Sequence, residues 1–270
     1  MLGSLSDADD AVQETWLRLN RSDADEIENL KKWLTTVVAR VSLDALRSRK
    51  AHHEEPLDAF IIQPTASNDA QTNPEEEAVI ADSVGLALLV VLDTLAPAER
   101  VAFVLHDVFD IPFDEIAPIV GRSPEAARQL ASRARRRVRG AEQIPDSEIN
   151  AQRTVVDAFL RALRAGDFEG LVAVLDPDVV FRADAAAGVS GSPTEIRGAR
   201  KWARGALAFS GFAQYVQPAL VNGAVGLVMA PGGRLSRALT FTITNGKIIQ
   251  VEVIAEPDRL RTLDLAVLTD

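Results

Sequence analysis

The feature that most restricts what this chain can be is residues 112–140, PFDEIAPIVGRSPEAARQLASRARRRVRG. The run reads as one helix, a short turn at Gly121 and a second helix that starts after Ser123. Ser123 suits the N-cap, because its hydroxyl can accept a free backbone N–H of the first turn. Pro124 follows at the first helical position, where a missing N–H costs nothing. Ala127, Leu130, Ala131, Ala134 and Val138 recur at helical spacing and can face a core. Arg128, Gln129, Ser132, Arg133, Arg135, Arg136 and Arg137 occupy the other side. From Arg122 to Arg139 there are seven arginines and one glutamate, Glu125, in a chain whose formal net charge is -10. That concentration fits a helix-turn-helix whose second helix enters the DNA major groove. Its first turn would face base edges and its arginines would face phosphates. The plain alternative is a solvated basic helix that pairs with the acidic remainder.

Composition narrows the rest. A chain of 270 residues suffices for about two domains. With 47% hydrophobic and 25% charged residues it is an ordinary globular sequence. The absence of Cys excludes disulfides, thiolate nucleophiles and cysteine zinc sites. His52, His53 and His106 lack a clustered carboxylate pattern, so neither metal nor cofactor is expected. The apolar run around Val84–Leu92 is too short to span a bilayer, and no signal peptide is visible, so a cytoplasmic location without membrane contact is expected. A pI near 4.9 argues against non-specific coating of nucleic acid, so any DNA contact must be local.

In chain order, residues 7–20 read as a helix with acidic residues in its first turn and Ala8, Val12, Trp16 and Leu19 on its apolar side. Residues 21–28 are a polar interruption. Asn29–Arg49 read as a long helix, with Trp33, Leu34, Val37, Val38, Val41, Leu43 and Leu46 on one side and a basic end. Residues 51–74 read as a linker in which Phe60, Ile61 and Ile62 form an apolar patch. Residues 75–94 read as a helix with an acidic start at Glu75, Glu76 and Glu77, and Ala98–Phe109 as another, with His106 packed or capping. Gly140 and Pro145 mark a boundary. Beyond it the reading is helices at Asn150–Ala165 and Asp167–Leu175 and a strand from Val179. A helix is expected over residues 196–208, then strands over Ala213–Asn222, Ala224–Met229, Leu235–Thr244 and Lys247–Ala255. Asn245-Gly246 is a strong hairpin signal. Helices followed by a meander of antiparallel strands imply an α+β domain with a curved sheet on helices.

Residues 95–140, LAPAERVAFVLHDVFDIPFDEIAPIVGRSPEAARQLASRARRRVRG, closely resemble region 4 of bacterial sigma factors, most of all the extracytoplasmic-function group. Ala117, Gly121, Ser123, Arg128 and Ala134 fall where that family places its small, capping and basic residues. The resemblance implies that Arg122, Ser123, Glu125, Arg128, Gln129, Ser132, Arg133, Arg136 and Arg137 read the minus-thirty-five element. Residues 7–20 are similar to the region 2 segment that grips the polymerase clamp, which assigns Asp10, Gln13, Glu14 and Arg18 to core polymerase. The following helix and the loop before it resemble the minus-ten reader, which assigns Lys32, Arg40, Asp44 and Arg47 to DNA. Asp44 can equally be an intrahelical partner of Arg40 or Arg47. The family pattern includes an earlier helix that this sequence does not contain, so region 2 is expected to be less stable than region 4.

The last part, from AFLRALRAGDF at residues 158–168 through LVAVLDPDVVF at 171–181, a helix pair and then a strand, resembles the SnoaL-like cone fold of polyketide cyclases and ketosteroid isomerases. Some extracytoplasmic-function sigma factors carry such a domain, with a DGGG-type motif after the first strand and an NPD-type motif near the end. Here Asp184-Ala185-Ala186-Ala187-Gly188 and Glu256-Pro257-Asp258 stand in those places, with alanine replacing glycine. Asp184 and Glu252 are the carboxylates that could reach a pocket, but this part contains no histidine, and a non-enzymatic, regulatory role is expected. Asp184, Glu256, Pro257 and Asp258 are the candidate contacts within the chain.

The expected architecture is therefore multidomain. Two all-α sigma domains, a region 2 remnant (1–56) and a region 4 helix-turn-helix (75–143), are joined by a linker (57–74) and followed by an α+β SnoaL-like domain (144–270). The expected function is a monomeric sigma factor that binds core RNA polymerase and promoter DNA, reads both promoter elements and is modulated by its own C-terminal domain. The alternative is a helix-turn-helix regulator fused to a SnoaL-like ligand-binding or enzymatic domain, which would act as a dimer on a palindrome.

Overall fold

The computed structural model describes residues 1–3, 5–22, 27–52, 83–139, 145–188, 191–231 and 235–268. The loop before Asn29 at residues 23–26, His53, the apolar patch at residues 60–62 and the acidic start at residues 75–77 lie outside the described residues. The chain divides into two compact units, Met1–Ile61 with Leu95–Arg136, and Ile62–Thr94 with Arg137–Asp270.

The first unit is all-helical. It contains α1 (Leu5–Arg21), α2 (Leu30–His52), α4 (Pro97–Phe103), a π segment (Val104–Val108), α5 (Phe113–Val120) and most of α6 (Pro124–Arg139). Helix α2 starts where the Asn29 side chain accepts the Lys32 N–H at 3.0 Å, a good cap for an otherwise free donor. Its Ala39, Leu43 and Leu46 join Ala11 of α1 and Val101, Ala102, Leu105, Ile116 and Ala127 of the later helices in one buried core. The reading of Val12 and Trp16 as core residues is corrected: both are 61% exposed, while Ala11 and Thr15 are buried. Ala11 and Thr15 lie about 100° around the helix from Val12 and Trp16, and it is their stripe that meets α2. The Thr15 hydroxyl donates to the Ala11 carbonyl at 2.7 Å, so its burial leaves no unmet donor.

The second unit is α+β. Its elements are α3 (Ser83–Thr94), α7 (Asp146–Ala165), α8 (Phe168–Val174), β1 (Leu175–Ala183), β2 (Thr194–Arg197), α9 (Ala199–Ala206), a 3-10 segment (Leu207–Tyr215), β3 (Val216–Val221), β4 (Ala224–Met229), β5 (Arg237–Thr244), β6 (Lys247–Ile254), α10 (Pro257–Thr262) and β7 (Leu265–Ala266). The strands form one sheet in the order β2-β1-β6-β5-β4-β3-β7. Two expectations change. Residues 196–197 end a strand, Thr194–Arg197, rather than start a helix, and residues 213–215 close a 3-10 segment, Leu207–Tyr215, rather than open a strand. The sheet is not wholly antiparallel, because β1 and β6 run parallel. Two short helices between β1 and β3 carry the chain across the sheet and make that direction possible.

One face of the sheet packs on α7, α8 and α9, with Phe159, Leu171, Trp202, Leu227 and Ile248 buried between them. Phe159 lies 5.5 Å from Trp202 and 5.3 Å from Phe241, ring to ring, so aromatic side chains fill the concave side. The other face is covered at the β4-β3-β7 end by α3, whose Val90 and Val91 pack on Ala219, Val221, Val228 and Leu265. β3 is consequently buried on both sides.

Because α2 and the helix-turn-helix share one core, Leu43→Ala should cost about 2–5 kcal/mol and lower amide-exchange protection in α2 and in α4–α6 together. Mass-spectrometric hydrogen exchange checks this; loss confined to α1 and α2 would show two separate cores.

Candidate nucleic-acid interface

Helices α5 and α6 are joined by Gly121, whose φ of 67° is left-handed and whose N–H donates to the Ala117 carbonyl. Glycine reaches that conformation without the cost a Cβ would bring. Two residues on, the Ser123 hydroxyl accepts the Ala126 N–H at 3.2 Å. The predicted turn glycine and N-cap are therefore both in place. Ala127, Ala131 and Ala134 are fully buried along the inner face of α6, and small side chains there let α6 approach the preceding helices closely.

The outer face holds the predicted DNA residues. Arg122, Ser123, Glu125, Arg128, Gln129, Arg133, Arg136 and Arg137 are exposed, and Ser132 is half-buried. The Glu125 carboxyl is held below its usual range by its own backbone N–H and by the Ser123 hydroxyl. The arginines do not all point outward with free donors. Arg133 Nε donates to Glu99 Oε1 at 2.9 Å, and that carboxylate is 9% exposed. Arg135 grips Asp107 with two hydrogen bonds of 2.7 and 3.1 Å, which raises the guanidinium pKa. These two fasten α6 to the segment before it. Arg128 instead lies over the Phe113 ring, 5.4 Å from its centroid. Among the described residues, the side chains closest to the start of α6 that no carboxylate holds are Arg122, which donates to the Gly121 carbonyl at 3.3 Å, Arg128 and Gln129, the residue types that pair bidentately with guanine or adenine edges.

The candidates on α2 are engaged from across the unit. Lys32 Nζ lies 3.2 Å from Glu115 of α5, and Arg40 donates to the Pro118 carbonyl of the same helix at 3.3 Å. Asp44 pairs with Arg47 at 3.7 Å, the intrahelical alternative, and both remain more than half exposed. On α1, Asp10, Gln13 and Arg18 are exposed and Glu14 half-buried, with Arg18 Nε donating to Glu14 at 2.8 Å. Val12, Trp16 and Leu17 stand exposed beside them. Their i, i+4 spacing was visible in the sequence, but it fitted a buried stripe equally well.

In the second unit, Asp184 is buried and structural. Its Oδ1 accepts the Ala187 N–H at 3.0 Å, and its Oδ2 accepts those of Ala255 and Glu256 at 2.9 and 3.0 Å. Arg259 reaches Asp184 at 3.6 Å and Glu252 at 2.6 Å. The Asp184 loop and the start of α10 are thereby tied together, with Pro257 and Asp258 exposed at the outside. The three alanines keep negative φ angles, so this turn does not demand glycine there. Gly188 is different: a Cβ would sit 2.1 Å from the Ser192 carbonyl oxygen. Asp184, Glu252 and Glu256 line an open cleft of about 430 Å³ with Arg182, Glu195 and Arg259. Its carboxylates face arginines, which suits a fixed surface better than proton transfer. Among the described residues no group of three His, Asp or Glu could hold a metal ion, and no helix is long and apolar enough to cross a membrane.

The family model for sigma-70 region 2 matches residues 1–52, and that for sigma-70 region 4 matches residues 85–138. The chain belongs to the extracytoplasmic-function RNA polymerase sigma factors. It is 37% identical to the ECF RNA polymerase sigma factor SigJ of Mycobacterium tuberculosis, over 96% of this chain and 87% of that protein. It is 34% identical to the probable sigma factor SigI of the same species, over 97% of this chain and 89% of that protein. The crystal structure of the Mycobacterium tuberculosis SigJ covers 95% of this chain and 90% of that one, at 36% identity and a TM-score of 0.43. The order of helical sigma regions followed by an α+β domain is the one expected from the sequence.

Replacing Asp184 with Asn puts an amide donor where backbone donors converge. The variant should lose about 1–3 kcal/mol of stability, read by urea denaturation of the full chain.

Proposed function

We propose that this chain directs promoter-specific transcription initiation as a subunit of bacterial RNA polymerase, in the cytoplasm and as a monomer. The observation that carries the reading is the capped helix-turn-helix, whose alanine seam is buried and whose Arg122, Arg128, Gln129 and Arg136 are exposed, in a chain of this family. In the proposal α6 reads the minus-thirty-five element and α2, with Lys32, Arg40, Asp44 and Arg47, reads the minus-ten element. The outer face of α1, with Asp10, Gln13, Glu14 and Arg18, meets core polymerase. Exposed Val12, Trp16 and Leu17 add the apolar area that a lasting interface needs.

The contacts of Lys32 and Arg40 with α5 support a further element of this reading. In the free chain the promoter face of α2 engages α5, the first helix of the helix-turn-helix. Polymerase would part them and hold each at its own box. A net charge of -10 makes tight binding to DNA by the chain alone unfavourable, so the polymerase supplies effective concentration. The C-terminal domain modulates activity through its hold on α3 and on the end of α6, where the Val267 N–H donates to the Val138 carbonyl at 2.8 Å. Asp184, which orders the start of α10, and Glu256, Pro257 and Asp258 there, belong to this regulatory surface. The domain acts without catalysis of its own.

Transcription from a cognate promoter by core polymerase and the full chain tests the reading. Arg128→Ala should cost about 1–3 kcal/mol at one base pair, whereas Arg136→Ala should weaken binding uniformly across sequences. Unchanged transcription with both variants would remove α6 from the promoter. Deleting Ala151–Asp270 uncovers Val90 and Val91, so that truncation should aggregate, as light scattering would register.

A further inference from the structure

Resting on the promoter reading of α6, we infer that Phe113 is a positioning residue for Arg128 and thereby sets the base selectivity of the helix-turn-helix. Arg128 stands on the exposed face of α6, one turn in from Pro124, where a side chain can reach a base edge. A solvated arginine there samples many rotamers, and ordering it costs entropy on binding. The Phe113 ring, 5.4 Å beneath the guanidinium carbon, restricts that freedom through a cation–π contact.

The manner of restraint matters. Arg133 and Arg135 are held by carboxylates, which take up Nε of Arg133 and Nε and Nη2 of Arg135. A phenyl ring attracts the guanidinium without accepting its in-plane hydrogen bonds, so the donor fork stays open for guanine O6 and N7. The ring is itself fixed. It is half-buried against the unit's core, and the His106 ring lies 4.0 Å away, centroid to centroid. His106 Nδ1 in turn sits 3.1 Å from the Ile111 carbonyl oxygen. His106, Phe113 and Arg128 thus form one stack, and Arg128 is its outermost member.

The test uses the full chain bound to core polymerase, and promoter DNA in which each base pair of the minus-thirty-five element is replaced in turn. Arg128→Ala first identifies the base pair it reads. Phe113→Leu, which keeps apolar bulk and removes the ring face, should lower discrimination at that pair about two- to fivefold and leave the other pairs unchanged. Phe113→Tyr should retain discrimination. With Arg128 already replaced by Ala, Phe113→Leu should change nothing further. Circular dichroism confirms that each variant is folded. Unchanged discrimination in Phe113→Leu, uniform weakening at every site, or failure of Phe113→Tyr to retain it would overturn the inference while leaving the promoter reading intact. If Arg128→Ala itself alters no base preference, the promoter reading of α6 at Arg128 falls, and this inference with it.

Discussion

Everything in the first unit leans on one stripe of α2, formed by Ala39, Leu43 and Leu46. α1 and the helix-turn-helix both bury apolar surface against this helix. Short helices are marginal on their own, and α5 has eight residues. It persists because Ile116, Ala117, Ile119 and Val120 are buried in the shared core. The same packing that stabilises α5 brings Glu115 to Lys32 and the Pro118 carbonyl to Arg40. Those polar contacts are exposed and individually weak. Apolar burial, not ion pairing, keeps the two helices together.

The basic helix illustrates how local charge can serve two ends. Arg133, through Nε, and Arg135, through Nε and Nη2, bind Glu99 and Asp107 and act as struts. Among the described residues no carboxylate holds Arg128 or Arg136 in this way. Counting arginines along α6 therefore overstates the charge available to DNA. Their distribution around the helix is what separates structural from external duty, and that distribution depends on residues more than twenty positions earlier in the chain.

Local chemistry made much of this legible. Gly121 and Ser123 mark a turn and a cap whatever surrounds them, and Asn245-Gly246 marks a hairpin that closes with φ of 52° and 71°. The alternation in Lys247–Ile254 places its own faces. What escaped depends on distant partners. Val12 and Trp16 have the spacing of a core stripe, but Ala11 and Thr15 took that place. The β3 strand is buried on both faces because a helix more than one hundred residues earlier covers the second one. The parallel pairing of β1 and β6 follows from the crossover and not from either strand's sequence. Of the candidate site, the helix-turn-helix residues were readable, whereas the ring under Arg128 needed three dimensions.

The π segment at Val104–Val108 gives the first unit a final property. A π turn is an α-helix that has absorbed an extra residue, and beyond it every side chain is rotated by about 100°. His106 and Asp107 lie within this widened turn, Asp107 against Arg135 and His106 against Phe113. The reading frame of this helix, counted in single residues, thus acts as a setting for the helix that follows. Two homologous chains could share every side chain in α6 and still present it differently, if one of them had lost a residue here. Alignment gaps in this stretch are for that reason changes of aim as well as of length.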